Sequence, residues 1–132
     1  MTLTLTITGM PLSSNDRVHY RERARQIAAA RAAAKILATA EWGRRPPKLT
    51  GPAEVIVQDQ CRTANLRDTG NCQPAVKAAI DGLTDYGLWP DDDATHVARI
   101  VFLPPMKTGA DALVLTITTC PQAVTPTQVT TR

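Results

Sequence analysis

Residues 91–93 are three consecutive aspartates, set in the stretch Gly87-Leu88-Trp89-Pro90-Asp91-Asp92-Asp93-Ala94-Thr95-His96. They are three of the chain's twelve acidic residues, in a chain of formal net charge +3. Neighbouring carboxylates repel one another unless a cation sits among them. Mg2+ takes hard oxygen ligands and keeps several waters, so two or three carboxylates suffice to hold it. Such an ion activates water and neutralises charge developing on a phosphate. Asp68 is a further acidic position upstream of the run. Lys77 suits the stabilisation of a phosphorane or a leaving oxygen as a point charge. The same residues admit a structural reading: Asp91 or Asp93 caps the turn, and Lys77 pairs with Asp81 at i,i+4.

The elements that must position these groups follow from pattern. Residues 2–8, TLTLTIT, alternate strictly, with Leu3, Leu5 and Ile7 on one face, which predicts a half-buried strand. Residues 9–16 form a turn rich in N-cap candidates: Ser13, Ser14, Asn15 and Asp16. An alanine-rich helix is expected from about Val18 to about Ala40. At 100° per residue, Arg17, Arg21, Arg25, Arg31 and Lys35 fall within an arc of roughly 120°, a stripe able to track phosphates or simply to be solvated. Ile27, Ala30, Ala34 and Leu37 lie towards the packing side. A Pro- and Gly-rich loop, 42–52, precedes a second strand at 53–60. A second helix is expected over 73–86, with Asn71 or Cys72 as cap, Pro74 in its first turn, Gly87 as its stop, and Val76, Ile80 and Leu83 buried.

Residues 96–103 are nearly continuous apolar and suggest a central strand; 104–109 turn, and 111–119 alternate with Leu113, Leu115 and Ile117 inward. The last two strands, joined by a short loop, read as an antiparallel hairpin. The fold class expected is α+β: a single small mixed sheet, order β-α-β-α-β-β, with helices on one face. A helix of fourteen residues is about 20 Å long. Asp68 and Asp92, at its two ends, therefore meet only if the 61–70 loop or the 87–95 loop folds back over it.

The chain of 132 residues suits one domain, expected over 1–120, with 121–132 as a flexible tail. There is no apolar run of the roughly 18 residues needed to span a membrane, and no secretory pattern at the N-terminus. Cys61, Cys72 and Cys120 are odd in number with no CxxC spacing, so they read as reduced thiols of a cytoplasmic protein. Charge is uneven: residues 1–50 hold nine Lys/Arg and three Asp/Glu, and residues 51–132 hold six and nine. A basic half beside an acidic cluster suits a protein that binds a polyanion and holds a cation, or one with an ordinary solvated surface. His96 and His19 read as surface residues, and Trp89 as an apolar plug anchoring its loop. Cys72 reads as packing. Arg62 and Arg67 flank Asp68 as phosphate-contact candidates.

The stretch RDTGNCQPAVKAAIDGLTDYGLWPDDDATHV resembles the core of the RusA family of Holliday junction resolvases, and TGMPLSSNDRVHYR resembles that family's strand–Pro–Ser–Asn start. The resemblance implies a RusA-like fold and a homodimeric, Mg2+-dependent endonuclease, with Mn2+ as a substitute ion. It would nick two symmetric strands of a four-way DNA junction in recombination and repair. It implies catalytic roles for Asp68, Asp92 and Lys77, metal ligation by Asp68, Asp91 and Asp92, and a match of Asp81 to the family's helix Asp. Asn15, Arg21, Arg25, Arg62, Arg67 and Asn71 would contact DNA. It implies no membrane, no small-molecule cofactor, and a bacterial cytoplasm, by association in a phage or prophage setting. Two departures stand out. Gly70 occupies the place of the second motif Asp, and Asn71 and Lys77 are spaced more widely than in the pattern. Asp91 or Asp93 would then serve as substitute ligand, or the metal would be held more weakly, or activity would be lost. The rival readings are an inactive junction-binding relative, a nuclease for flaps or forks, and an acidic-loop protein-interaction module.

Overall fold

The computed structural model describes residues 2–8, 19–62 and 70–119. The elements run β1 (Thr2–Thr8), α1 (Tyr20–Trp42), β2 (Ala53–Cys61), α2 (Gln73–Tyr86), β3 (Val97–Phe102), β4 (Met106–Lys107) and β5 (Ala112–Thr119). Among the described residues this is a small α+β fold: two helices and one mixed sheet of five strands. The expected tail, Cys120, and the cap candidates Ser13 to Asp16 lie outside the described residues, as do Arg17, Arg67 and Asp68.

The sheet order is β1-β5-β2-β3, with β4 also on β2. β1 and β2 both run antiparallel to β5, while β3 and β4 run parallel to β2. The parallel β2-α2-β3 unit needs a long crossover, and α2 supplies it. Alternation sets the buried face: Leu5 and Ile7, Val55 and Val57, and Leu113, Leu115 and Ile117 are all at most 4% exposed. The helices lie on that side.

Two expectations about the sheet are overturned. The last strands form no hairpin: β5 leaves β3 and β4 and inserts between β1 and β2. Nor is β3 central; it is an edge strand with Ala98, Arg99 and Ile100 exposed. The apolar run 96–103 looked buried on both faces, but Arg99 within it reaches Glu54 at the surface. Pro104 and Pro105, which lack an N–H, split this edge into β3 and β4. Meanwhile β2, buried at every second residue from Ala53 to Cys61, gains a partner on each side and becomes the centre.

α1 starts two residues later than expected, because His19 is its cap: His19 Nδ1 accepts a hydrogen bond from Arg21 N at 3.2 Å, and it ends two residues later, at the Gly43 stop. Ala30, Ala34 and Ala38 form its buried line. Ile27, expected inward, is 38% exposed. The small residues allow a close approach of α2. A Cβ on Gly82 would lie 2.3 Å from Arg31 O and 2.8 Å from Ala34 Cβ, so only glycine fits that crossing. Arg31 then clamps the pair, donating to both carboxylate oxygens of Asp85 at 2.6 and 2.8 Å. That leaves Arg31 engaged within the fold and not available in a free basic stripe.

Candidate active site on the cleft between α2 and β3

α2 has the expected bounds. Cys72 takes the cap position and makes no side-chain cap bond, and Pro74 sits in the first turn. Gly87, at φ 99°, ends the helix in the left-handed conformation, its N–H donating to Leu83 O and Thr84 O. The chain then reverses along the helix. Leu88 and Trp89 are 5% and 2% exposed, and Trp89 Nε1 donates to Thr84 Oγ1 at 2.7 Å. Trp89 is thus the anchor of its loop.

The reversal carries Asp92 to the middle of α2. Lys77 Nζ donates to Asp92 Oδ2 at 2.9 Å and to Asp81 Oδ1 at 3.0 Å. The 87–95 loop therefore folds back as a meeting of the two ends would require. Lys77 holds both the i,i+4 partner and the loop carboxylate. The trio keeps one negative charge in excess.

The three aspartates do different work. Asp91 Oδ1 accepts from Asp92 N at 2.8 Å. Asp93 Oδ1 accepts from Thr95 N and His96 N at 3.1 and 3.2 Å, and pairs with His96 Nδ1 at 2.7 Å. Asp91 and Asp93 thus shape the turn, and only Asp92 reaches the lysine. Asp93, offered as a substitute ligand, is committed to the turn and to His96.

Electrostatics follow the geometry. The Lys77 hydrogen bond holds the Asp92 carboxyl below the usual carboxylate range, against the opposing effect of burial. Bonds to Asp92 and then Asp81 raise Lys77 above the ordinary lysine value. The His96 contact lowers Asp93.

Beside this cluster lies a cleft of about 250 Å3. Gln73, Val76, Lys77 and Ile80 of α2 form one wall, Val97, Ile100 and Phe102 of β3 the other, and Asp92 borders it. Gln73 and the β3 side chains are additions to the candidate set. Gln73 was findable, since it stands four residues before Lys77 on the same helical face.

Other predicted site residues fall elsewhere. Arg62 is exposed at the end of β2, where its backbone N–H donates to Asp111 Oδ1 at 2.9 Å. Arg21 and Arg25 are exposed on the first turns of α1; Arg25 pairs with Glu22 at 2.6 Å. Asn71, expected against DNA, is buried at 7% exposure and backs the start of α2. Asn15, Arg67 and Asp68 lie outside the described residues. Cys61 and Cys72 are buried thiols in no disulfide. Among the described residues, no helix is long and apolar enough to cross a membrane.

Among the described residues, no three or more His, Cys, Asp or Glu side chains gather to hold a metal ion. The ammonium of Lys77 occupies the space between the Asp81 and Asp92 carboxylates. Gly70 has φ +85° with open space around a would-be Cβ. A left-handed turn explains glycine there, and an aspartate in its place would be strained. No family model matches the chain, and no curated protein matches it.

Proposed function

We propose that this protein is a structure-specific endonuclease that cuts four-way DNA junctions by paired nicks and needs a divalent cation for activity. The observation that carries the reading is the return of the 87–96 loop along α2, which puts Asp92 2.9 Å from Lys77 at the mouth of a cleft. A lysine shared by two carboxylates with charge to spare suits a site for a phosphodiester and a cation together. In this reading Asp68, Asp91 and Asp92 would hold Mg2+. The ion, when bound, supplies Lewis acidity and an activated water. Lys77 holds Asp92 in place before DNA arrives, then turns to the phosphate and offsets its developing charge. Asp81 keeps the ammonium aimed at the cleft while Asp92 exchanges partners. Arg21, Arg25, Arg62 and Arg67 contact phosphates away from the cut. A two-fold pair of subunits delivers the two nicks.

A second reading has a specific observation in its favour. The left-handed Gly70, standing where the family's second motif Asp belongs, suits a protein that binds junctions without cutting. The test is cleavage of an end-labelled four-way junction by the wild type and by Asp92→Asn, with Mg2+ and with EDTA. Paired nicks that need Mg2+ and vanish in Asp92→Asn, while binding persists, support the endonuclease. Tight binding with no cutting by the wild type supports the junction binder.

A further inference from the structure

We infer that Arg44, Arg45 and Lys48, on the loop between α1 and β2, grip a DNA phosphate backbone beside the aspartate loop and away from the cut. The inference rests on the nuclease reading and adds a contact to it. Both ends of the 43–52 loop meet the 87–96 loop. At the start, Tyr86 Oη donates to Gly43 O at 2.6 Å, and a Cβ on Gly87 would lie 3.3 Å from Pro46 Cγ. At the end, Ala53 N donates to His96 O at 2.8 Å. The basic loop and the acidic one are thus neighbours, yet among the described residues no ion pair joins them.

The fold neutralises cations elsewhere and leaves these alone. Arg25 has Glu22, Arg31 has Asp85, Lys77 has Asp81 and Asp92, and Arg99 has Glu54. Arg44, Arg45 and Lys48 are exposed, and among the described residues they make no ion pair, not even with the exposed Glu41 one turn earlier. Their backbone is nonetheless held. Pro46 and Pro47 are half-buried and fix their own φ, and Leu49 packs against the core. Cations on a fixed loop lose less freedom on binding a polyanion than cations on a loose one. Arginine forks match phosphate oxygens, and a lysine beside them adds a point charge. Cations just past the end of α1 also meet the negative end of the helix dipole, which would make them stabilising groups and nothing more. Position favours DNA: Gly87, where Pro46 rests, is ten residues beyond Lys77. At 1.5 Å per residue that is about 15 Å, or roughly four to five phosphates along one strand of a duplex.

The test compares the full chain with R44A/R45A/K48A and with R44K/R45K, binding a fluorescent four-way junction in EDTA across a salt series. The triple variant is expected to keep the wild-type melting temperature and to lower the slope of log K against log[salt] by about two to three. The lysine variant keeps the slope, because the charges remain. A neutral methylphosphonate about four or five phosphates from the nick is expected to weaken the wild type and to leave the triple variant unaffected. An unchanged slope in the triple variant overturns the inference, as does a lowered melting temperature with unchanged affinity, which returns the three cations to the helix end. Competition by poly-glutamate as effective as by duplex DNA at equal charge overturns the assignment to a phosphate backbone. Cutting is read on the same samples with Mg2+. A wild type that binds with the expected slope and does not cut defeats the nuclease reading and leaves the contact intact. A wild type that cuts while the triple variant keeps its slope defeats the contact alone.

Discussion

At the scale of single residues, Lys77 is more exposed than a purely structural lysine needs to be. Its side chain is 64% exposed, and those of Asp81 and Asp92 are 25% and 27%. Ion pairs so open to water contribute little stability, of order 0–1 kcal/mol. Lys77→Met and Asp92→Asn are therefore expected to change unfolding free energy by less than about 1 kcal/mol. Cleavage, on the proposed reading, falls by about 100-fold or more. Urea unfolding set beside junction cutting checks this; a large stability loss without loss of cutting would return the trio to a structural role. The pH dependence has a definite sign. The folded-state pKa of Asp92 is depressed by Lys77, so its contribution is present above the unfolded value and lost as pH falls through the folded one. Lys77 is raised, so its contribution is present below the unfolded lysine value and lost as pH rises through the folded one. The stability difference between wild type and Asp92→Asn should be flat from roughly pH 5 to pH 10 and shrink on both sides. Denaturation midpoints across that range measure it.

At the scale of elements, α1 and α2 cross closely at Gly82. Alanine is ordinarily the better helix residue by about 1 kcal/mol. Here its methyl would sit 2.3 Å from Arg31 O, against backbone that cannot swing away. Gly82→Ala is therefore expected to destabilise by about 1–3 kcal/mol in spite of its propensity gain. It would also spread the helices that carry Arg31–Asp85 and, on the far side of α2, Lys77. Thermal denaturation checks it, with an unchanged midpoint as the refuting result. This close approach was half legible in sequence. The Ala30–Ala34 spacing marked a small-residue face, but nothing local paired it with Gly82. The bounds of α2 were fully legible, because Pro74 and Gly87 are punctuation that acts within one turn. The hairpin was misread, since proximity in sequence does not say which edge of β2 is vacant. The i,i+4 pair of Lys77 and Asp81 was legible from helical geometry. The arrival of Asp92 beside it was not, because it depends on Leu88 and Trp89 finding the core, a long-range event.

At the scale of the whole molecule, the uneven charge decides whether a polyanion is the partner. Residues 1–50 hold nine Lys/Arg against three Asp/Glu, but the structure withdraws some of these from use. Arg31 is clamped by Asp85 and Arg25 shares Glu22, whereas Arg21, among the described residues, makes no ion pair and donates to the Tyr20 hydroxyl at 3.3 Å. If nucleic acid is bound through this half, affinity must fall steeply with salt, because each phosphate neutralised releases counterions. Arg21→Ala is expected to lower the slope of log K against log[salt] by about one, without a stability cost. Arg31→Ala is expected to do the reverse: it frees Asp85, costs stability, and leaves the slope nearly unchanged. Junction affinity measured across a salt series for the two variants separates a phosphate contact from a helix clamp. Binding that ignores salt would remove the DNA reading altogether and leave the acidic loop 91–93 as a surface for a basic protein partner.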